Sequence, residues 1–254
     1  MNILISNDDG INSDGIRILA EEVSKIADVY VVAPDSQRSA TSHAITLHKP
    51  VLVNEEYICE NVKAYSTSGT PADCVKIGIE AILNDIDIDL VLSGINNGPN
   101  LGDDVIYSGT VSAAIEGMIC KKPSIALSYN SHKVTKEELR EASKCTALLI
   151  KKLKDYLDKL DDVILNVNFP VGDKKGVKIT KLGKREYTNV MDSRENARGQ
   201  RYVWMCGDLV DNEQDEDSDI FAVENGYISI TPLHVNMTDF NKIETLKDLE
   251  DINL

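Results

Sequence analysis

Residues 2–16 read NILISNDDGINSDGI, and this stretch decides the fold class. Ile3, Leu4 and Ile5 form an uninterrupted apolar run of strand length, which suits a strand buried on both faces. A polar, glycine-containing loop follows, and then Ile16, Leu19, Val23, Ile26 and Ala27 recur at helical spacing. Val29 to Ala33 gives a second apolar run that stops at Pro34. The opening is therefore β-α-β, the unit of a parallel sheet, with a right-handed crossover.

The alternation continues. Ala44 to Val53, Lys63 to Ser66, Asp89 to Gly94, Ser124 to Ser128 and Val163 to Val167 read as strands. Ala72 to Leu83, Thr110 to Ile119 and Lys136 to Leu160 read as helices. From Val177 the texture changes. VKITKLG, RYVWMCG and YISITPL read as strands with polar connections and no long helix between them. The expected architecture is α/β, with residues 1–176 as a core and residues 177–254 as an antiparallel arm and tail integrated with it.

With 254 residues the chain is long enough for one large α/β domain. A net charge of −15 argues against binding long nucleic acids, which needs clustered Lys and Arg. The five cysteines are scattered and contain no C-x-x-C pair, as expected of a reduced, cytoplasmic protein. No basic leader precedes an apolar run, and no run approaches the roughly 18 apolar residues of a membrane span. The acidic run Gly207 to Asp219 lacks the spacing of a cation site and reads as a solvated loop.

In an open α/β sheet, ligands bind outside the carboxyl ends of the strands. Three loops qualify there: Asn7 to Gly15, Pro34 to Ser42, and Ser93 to Gly109. A lone Asp in such a loop ordinarily caps a helix or bends a turn. Asp8 and Asp9 are adjacent, however, and two carboxylates aimed into one cleft offer the hard oxygen ligands of Mg²⁺ or Mn²⁺, which would remove their repulsion. Asn12 and Asp14 are better placed to cap the following helix. An EF-hand fails because Ile11 falls where an oxygen ligand is needed, and an aspartyl-phosphate phosphatase fails because Asn7 would have to be the nucleophile.

Ser36, Ser39, Thr41 and Ser42 in the second loop either satisfy turn backbone or supply a hydroxyl to a metal. In the third loop, Asn96, Asn97 and Asn100 can ligate a metal or donate to phosphate without adding charge. Ser108, Gly109 and Thr110 open a helix whose N-terminus suits an anion. Neither a dinucleotide fingerprint, a Walker loop nor a nucleophile elbow occurs. Of His43, His48, His132 and His234, none forms a spaced ligand pair, and only His43 lies near a candidate loop.

Five stretches together resemble the SurE family of 5′/3′-nucleotidases: NILISNDDGINSDGI, VVAPDSQRSATSHAIT, SGTPADCV, SGINNGPNLGDDVIYSGTVSAAIEG and AVENGYISITPL. The resemblance implies a Rossmann-like three-layer α/β/α core and hydrolysis of nucleoside 5′- and 3′-monophosphates, with short polyphosphate as an extra substrate. It also implies one divalent ion, Mg²⁺ or Mn²⁺, per subunit, held by Asp8, Asp9, Ser39 and Asn96. Asp8 and Asp9 are then the catalytic carboxylates, and Asn96, Asn100, Ser108, Gly109 and Thr110 lie where the family binds phosphate. A homodimer or dimer-based tetramer built on the arm is expected. The competing expectation is a nucleotide-binding regulator that does not turn over.

Overall fold

The computed structural model describes residues 1–210 and 214–252, so Asp211, Asn212 and Glu213 of the acidic run and the last two positions lie outside it. The described residues form one nine-stranded sheet. Its strands are β1 (Asn2–Ser6), β2 (Asp28–Pro34), β3 (Val53–Glu56), β4 (Val62–Thr67), β5 (Leu90–Asn97), β6 (Ser124–Tyr129), β7 (Ile164–Phe169), β8 (Gly176–Ile179) and β13 (Tyr227–Leu233). Between β8 and β13 the arm carries β9 (Tyr187–Thr188), β10 (Met191–Glu195), β11 (Arg201–Met205) and β12 (Asp208–Leu209). The sheet order is β3-β4-β2-β1-β5-β6-β7-β13-β8. From β4 to β7 every pairing is parallel, while β3 and β13 each run against their inner neighbour.

The first apolar run explains the layering. Ile3 and Ile5 point to one face, where they join Ile16 and Leu19 of helix α1 (Asp14–Val23). Leu4 points to the other, beside Cys74 and Val75 of α2 (Pro71–Ile77) and Ala113 of α3 (Gly109–Ile119). All three β1 side chains are fully buried, each contributing about 1.5–3 kcal/mol of apolar transfer. Helix α4 (Lys136–Leu153) lies against α1 on the first face, and its start is fixed by a capping box between Thr135 and Glu138. The expected three-layer core is therefore present.

Several expectations change. Residues 44–52 form no strand, and only Val53–Glu56 pairs, at the exposed sheet edge. Backbone groups there go elsewhere: Thr46 N–H donates to Asp73 Oδ1 at 3.0 Å and the Ala44 carbonyl accepts from Thr70 Oγ1 at 2.6 Å. The helix expected to reach Leu160 ends at Leu153, because Leu157 and Leu160 keep the apolar spacing through a tight turn at Leu157–Lys159 rather than a continued helix. The helix expected over 72–83 is α2 followed by a wider turn at Gly78–Ile82. The cap of α1 is Ser13, not Asn12 or Asp14. VKITKLG and YISITPL, read as arm strands, contribute β8 and β13 to the core sheet. Among the described residues, antiparallel pairing within the arm is confined to β10 with β11 and β9 with β12. Two short helices, α5 (Asp219–Glu224) and α6 (Phe240–Leu246), complete the chain.

Candidate active site

β2 and β4 lie on one side of β1, and β5, β6 and β7 on the other. The chain thus changes direction of growth between β1 and β5, and a crevice opens at their carboxyl ends. There the three loops expected from sequence converge on a cleft of about 280 Å³, lined by Asp8, Asp9, Ser39, Asn96, Asn100 and Ser108 among others.

Asn7 shapes the first loop. Its Nδ2 donates to the Gly10 carbonyl at 3.1 Å and to Ser13 Oγ at 2.8 Å, while its Oδ1 accepts from Gly10 N–H at 3.2 Å. That side chain is used up in the turn, which leaves the next two residues to face the cleft. Asp8 is only 5 % exposed, and Thr110 Oγ1 donates to its Oδ1. Asp9 Oδ2 accepts from Asn97 N–H at 3.2 Å. The second loop is tied to the first through Arg38 N–H, which donates to the Asp8 carbonyl at 2.7 Å. Ser39 lines the cleft together with the pair, and Gln37 Nε2 donates to Ser39 Oγ at 2.9 Å.

Burial pushes the Asp8 carboxyl up to about 6; the Thr110 hydrogen bond opposes this and the neighbouring Asp9 charge adds to it. Asp9 is also raised by burial, against the Asn97 N–H and the His132 ring. One buried and one half-buried acid, adjacent and both raised, form a site short of positive charge. Asp104 does not add to the deficit, because Arg185 at 3.1 Å and the Tyr187 hydroxyl at 2.6 Å hold it.

The donor chemistry fits a hard divalent cation. Asn96 Nδ2 is committed to the Gly98 carbonyl at 2.9 Å, so the amide can offer its oxygen as a ligand. Asn97 Oδ1 is buried without a hydrogen-bond partner among the described residues. Asp8, Asp9, Ser39 and Asn96, the expected ligand set, share this one cleft.

Helix α3 closes the other wall. Ser108 caps it, its Oγ accepting from Val111 N–H at 3.0 Å, and Gly109 is its first residue. A Cβ on Gly109 would lie 2.8 Å from Asp8 Cβ, so only glycine lets the helix end approach this carboxylate. The Thr110 hydroxyl is spent on Asp8; of the residues that open α3, Ser108 lines the cleft, while Gly109 and Thr110 are buried behind it.

The cleft also contains residues not singled out from sequence, including Gln37, Tyr107 and His132. His132 Nδ1 lies 3.1 Å from the Asn97 carbonyl, which can only accept, so this nitrogen carries a proton. The position of the 130–135 loop after β6, another carboxyl end, was the available signal. His43, the histidine nearest a candidate loop, instead contacts Glu116 Oε2 at 2.8 Å outside the cleft.

The sequence model of the family described as Survival protein SurE matches residues 3–189. The chain belongs to the SurE family. A Pelotomaculum thermopropionicum protein named 5′-nucleotidase SurE is 47 % identical over 252 residues, covering 98 % of this chain and 95 % of its own. A Clostridium botulinum protein of the same name is 42 % identical, covering 98 % and 99 %. The crystal structure of a SurE protein from Aquifex aeolicus superposes with a TM-score of 0.84 at 38 % identity, covering 99 % of this chain and 100 % of that one. The likeness to that SurE structure thus extends over β13, beyond the residues that the family sequence model matches.

Proposed function

We propose that this SurE-family chain is a metal-dependent phosphomonoesterase that hydrolyses nucleoside 5′-monophosphates to nucleoside and phosphate, with 3′-monophosphates and short polyphosphate as further substrates. The observation that carries this reading is the adjacent carboxylates of Asp8 and Asp9, sharing one cleft with Ser39, Asn96 and Ser108 at the N-terminus of α3. The relatives named 5′-nucleotidase SurE, similar over nearly the whole chain, support the substrate class.

Asp8, Asp9, Ser39 Oγ and the Asn96 carbonyl oxygen would hold one Mg²⁺ or Mn²⁺ ion. When bound, it supplies positive charge to the phosphoryl oxygens and lowers the pKa of a water. Thr110 Oγ1 and Asn97 N–H fix the orientation of the two carboxylates. The first backbone N–H groups of α3 and the Asn100 carboxamide take phosphoryl oxygens. Asp8 or Asp9 would be the group placed to take the proton from the attacking water.

Release of phosphate from a panel of 5′- and 3′-nucleoside monophosphates and tripolyphosphate, with Mg²⁺, Mn²⁺ or EDTA, tests this. Metal-dependent release is expected. Nucleotide binding with no release under any metal would favour the regulator reading.

Among the described residues no helix is long and apolar enough to cross a membrane. We place the protein in the cytoplasm, a reading supported by five free cysteines. We also read the arm within residues 177–254 as an oligomerisation element. Its β10–β11 hairpin exposes Met191, Val203, Trp204 and Met205, more apolar surface than a free two-stranded ribbon ordinarily carries. A mass measurement at micromolar concentration should give a dimer or tetramer; a monomer would contradict that role.

A further inference from the structure

Behind the cleft lies a buried polar cluster that the proposed chemistry does not use directly. Ser128 on β6 and Asn168 on β7 are register partners, and Asn166 stands two residues earlier on the same face of β7. All three are fully buried. Their hydrogen bonds converge on one residue, Asn100. Asn168 Oδ1 accepts from Asn100 N–H at 2.9 Å. Asn166 Nδ2 and Asn168 Nδ2 both donate to the Asn100 carbonyl, at 2.8 and 3.0 Å. Ser128 Oγ accepts from Asn100 Nδ2 at 2.7 Å.

Both backbone groups and the side-chain amide of Asn100 are thus fixed by strand residues. Burying such groups is costly, and the cluster even leaves Asn166 Oδ1 without a partner among the described residues. Apolar side chains would fill these sheet positions more cheaply, as Leu127 and Val167 do on the opposite face. The cluster makes sense if the orientation of Asn100 is what matters. One amide proton is held by Ser128, and the carboxamide is held at the cleft wall with its remaining polar edge available to a ligand.

We propose that Ser128, Asn166 and Asn168 are positioning residues that hold the Asn100 carboxamide in the orientation that binds a phosphoryl oxygen. This rests on the reading of Asn100 as a phosphate-binding residue.

The test is a double-mutant cycle on the full chain with Mn²⁺ present, read by calorimetric binding of inorganic phosphate and by kcat/KM for 5′-AMP. Asn100→Ala and Ser128→Ala are each expected to weaken phosphate binding and lower kcat/KM by about 10-fold or more. In the Asn100→Ala background, Ser128→Ala should change either value by less than about twofold, because its only target is gone. The metal-induced melting shift should be unchanged throughout. Asn166→Ala provides a second arm should Ser128→Ala fold poorly. It removes an orphaned buried acceptor and leaves the Asn100 carbonyl bonded to Asn168, so folding is least disturbed.

Wild-type phosphate binding in Asn100→Ala would overturn the reading of Asn100 itself. Loss in Asn100→Ala with wild-type behaviour in Ser128→Ala and Asn166→Ala would overturn only the positioning role. Additive losses in the double variants would overturn it as well, since they would place the strand residues in an independent, structural capacity.

Discussion

Thr110 Oγ1 donates a 2.5 Å hydrogen bond to Asp8 Oδ1 across 102 positions of sequence. The bond joins the loop after the first strand to the first turn of α3, so the acid pair is tied to the start of that helix. It also opposes the burial that raises the Asp8 carboxyl.

Thr110→Val keeps the shape and removes the donor. With burial unopposed, Asp8 should hold its proton more tightly, and Mn²⁺ must compete with that proton. A hydrogen bond to a charged group contributes about 1.5–3 kcal/mol, so apparent Mn²⁺ affinity at neutral pH should fall by about 10-fold or more. The acid limb of the activity profile should move to higher pH. Titration calorimetry and a pH–rate profile check both.

The metal-free protein should show the same group in its stability. The folded-state pKa of Asp8 is raised from 3.8 to about 6, so between those values the native state binds more protons than the unfolded chain. The stability from the neutral carboxyl is fully present below about pH 4 and is lost as pH rises through about 6, a change of about 3 kcal/mol. Asp8→Asn should lack this loss. Melting curves with a chelator from pH 4 to 7 compare the two.

Ser39→Ala should weaken metal affinity yet leave measurable activity at high metal, because water can replace a neutral ligand. Asn96→Ala should be worse, since Asn96 Nδ2 also anchors the loop at the Gly98 carbonyl. Metal titrations of phosphate release rank them. An unchanged Ser39→Ala curve would remove that hydroxyl from the ligand set.

Gly109→Ala places a methyl 2.8 Å from Asp8 Cβ, where a backbone-proximal atom cannot swing away. Alanine is no worse than glycine for the helix itself. Activity should therefore fall by about 10-fold or more, and relieving the clash should also lower the melting temperature, as overpacking by about 1–3 kcal/mol does. Wild-type activity in a destabilised variant would point to a purely structural glycine.

Much of this was legible in the sequence because local pattern and tertiary role agree. The apolar run at Ile3–Ile5, the glycine-bearing loop and the amphipathic helix fix a β-α-β unit, and the carboxyl-end rule then selects the three loops that do meet. The failures share a physical cause. Residues 44–52 have the composition of a strand, but the side chains of Thr70 and Asp73 take their backbone groups, a competition visible only after folding. YISITPL reads as a strand from any context, yet nothing local says that β7 would be its partner. His132 has no flanking pattern, and its place beside Asn97 depends on how β5 and β6 align. Asn166 and Asn168 alternate as buried strand residues should, and only the tertiary fold shows that both face Asn100.

The most direct test of the central claim is phosphate release from 5′-AMP as a function of Mn²⁺ concentration, for wild type and Asp9→Asn. Asn is itself a good turn and cap residue, so the substitution spares any local structural role. Wild type should show saturable metal activation that EDTA abolishes. Asp9→Asn should lose about 100-fold or more, and its metal-free fold should be at least as stable as wild type because a repelling charge is gone. Wild-type turnover in EDTA, or an Asp9→Asn curve that overlays the wild-type one, would contradict that claim.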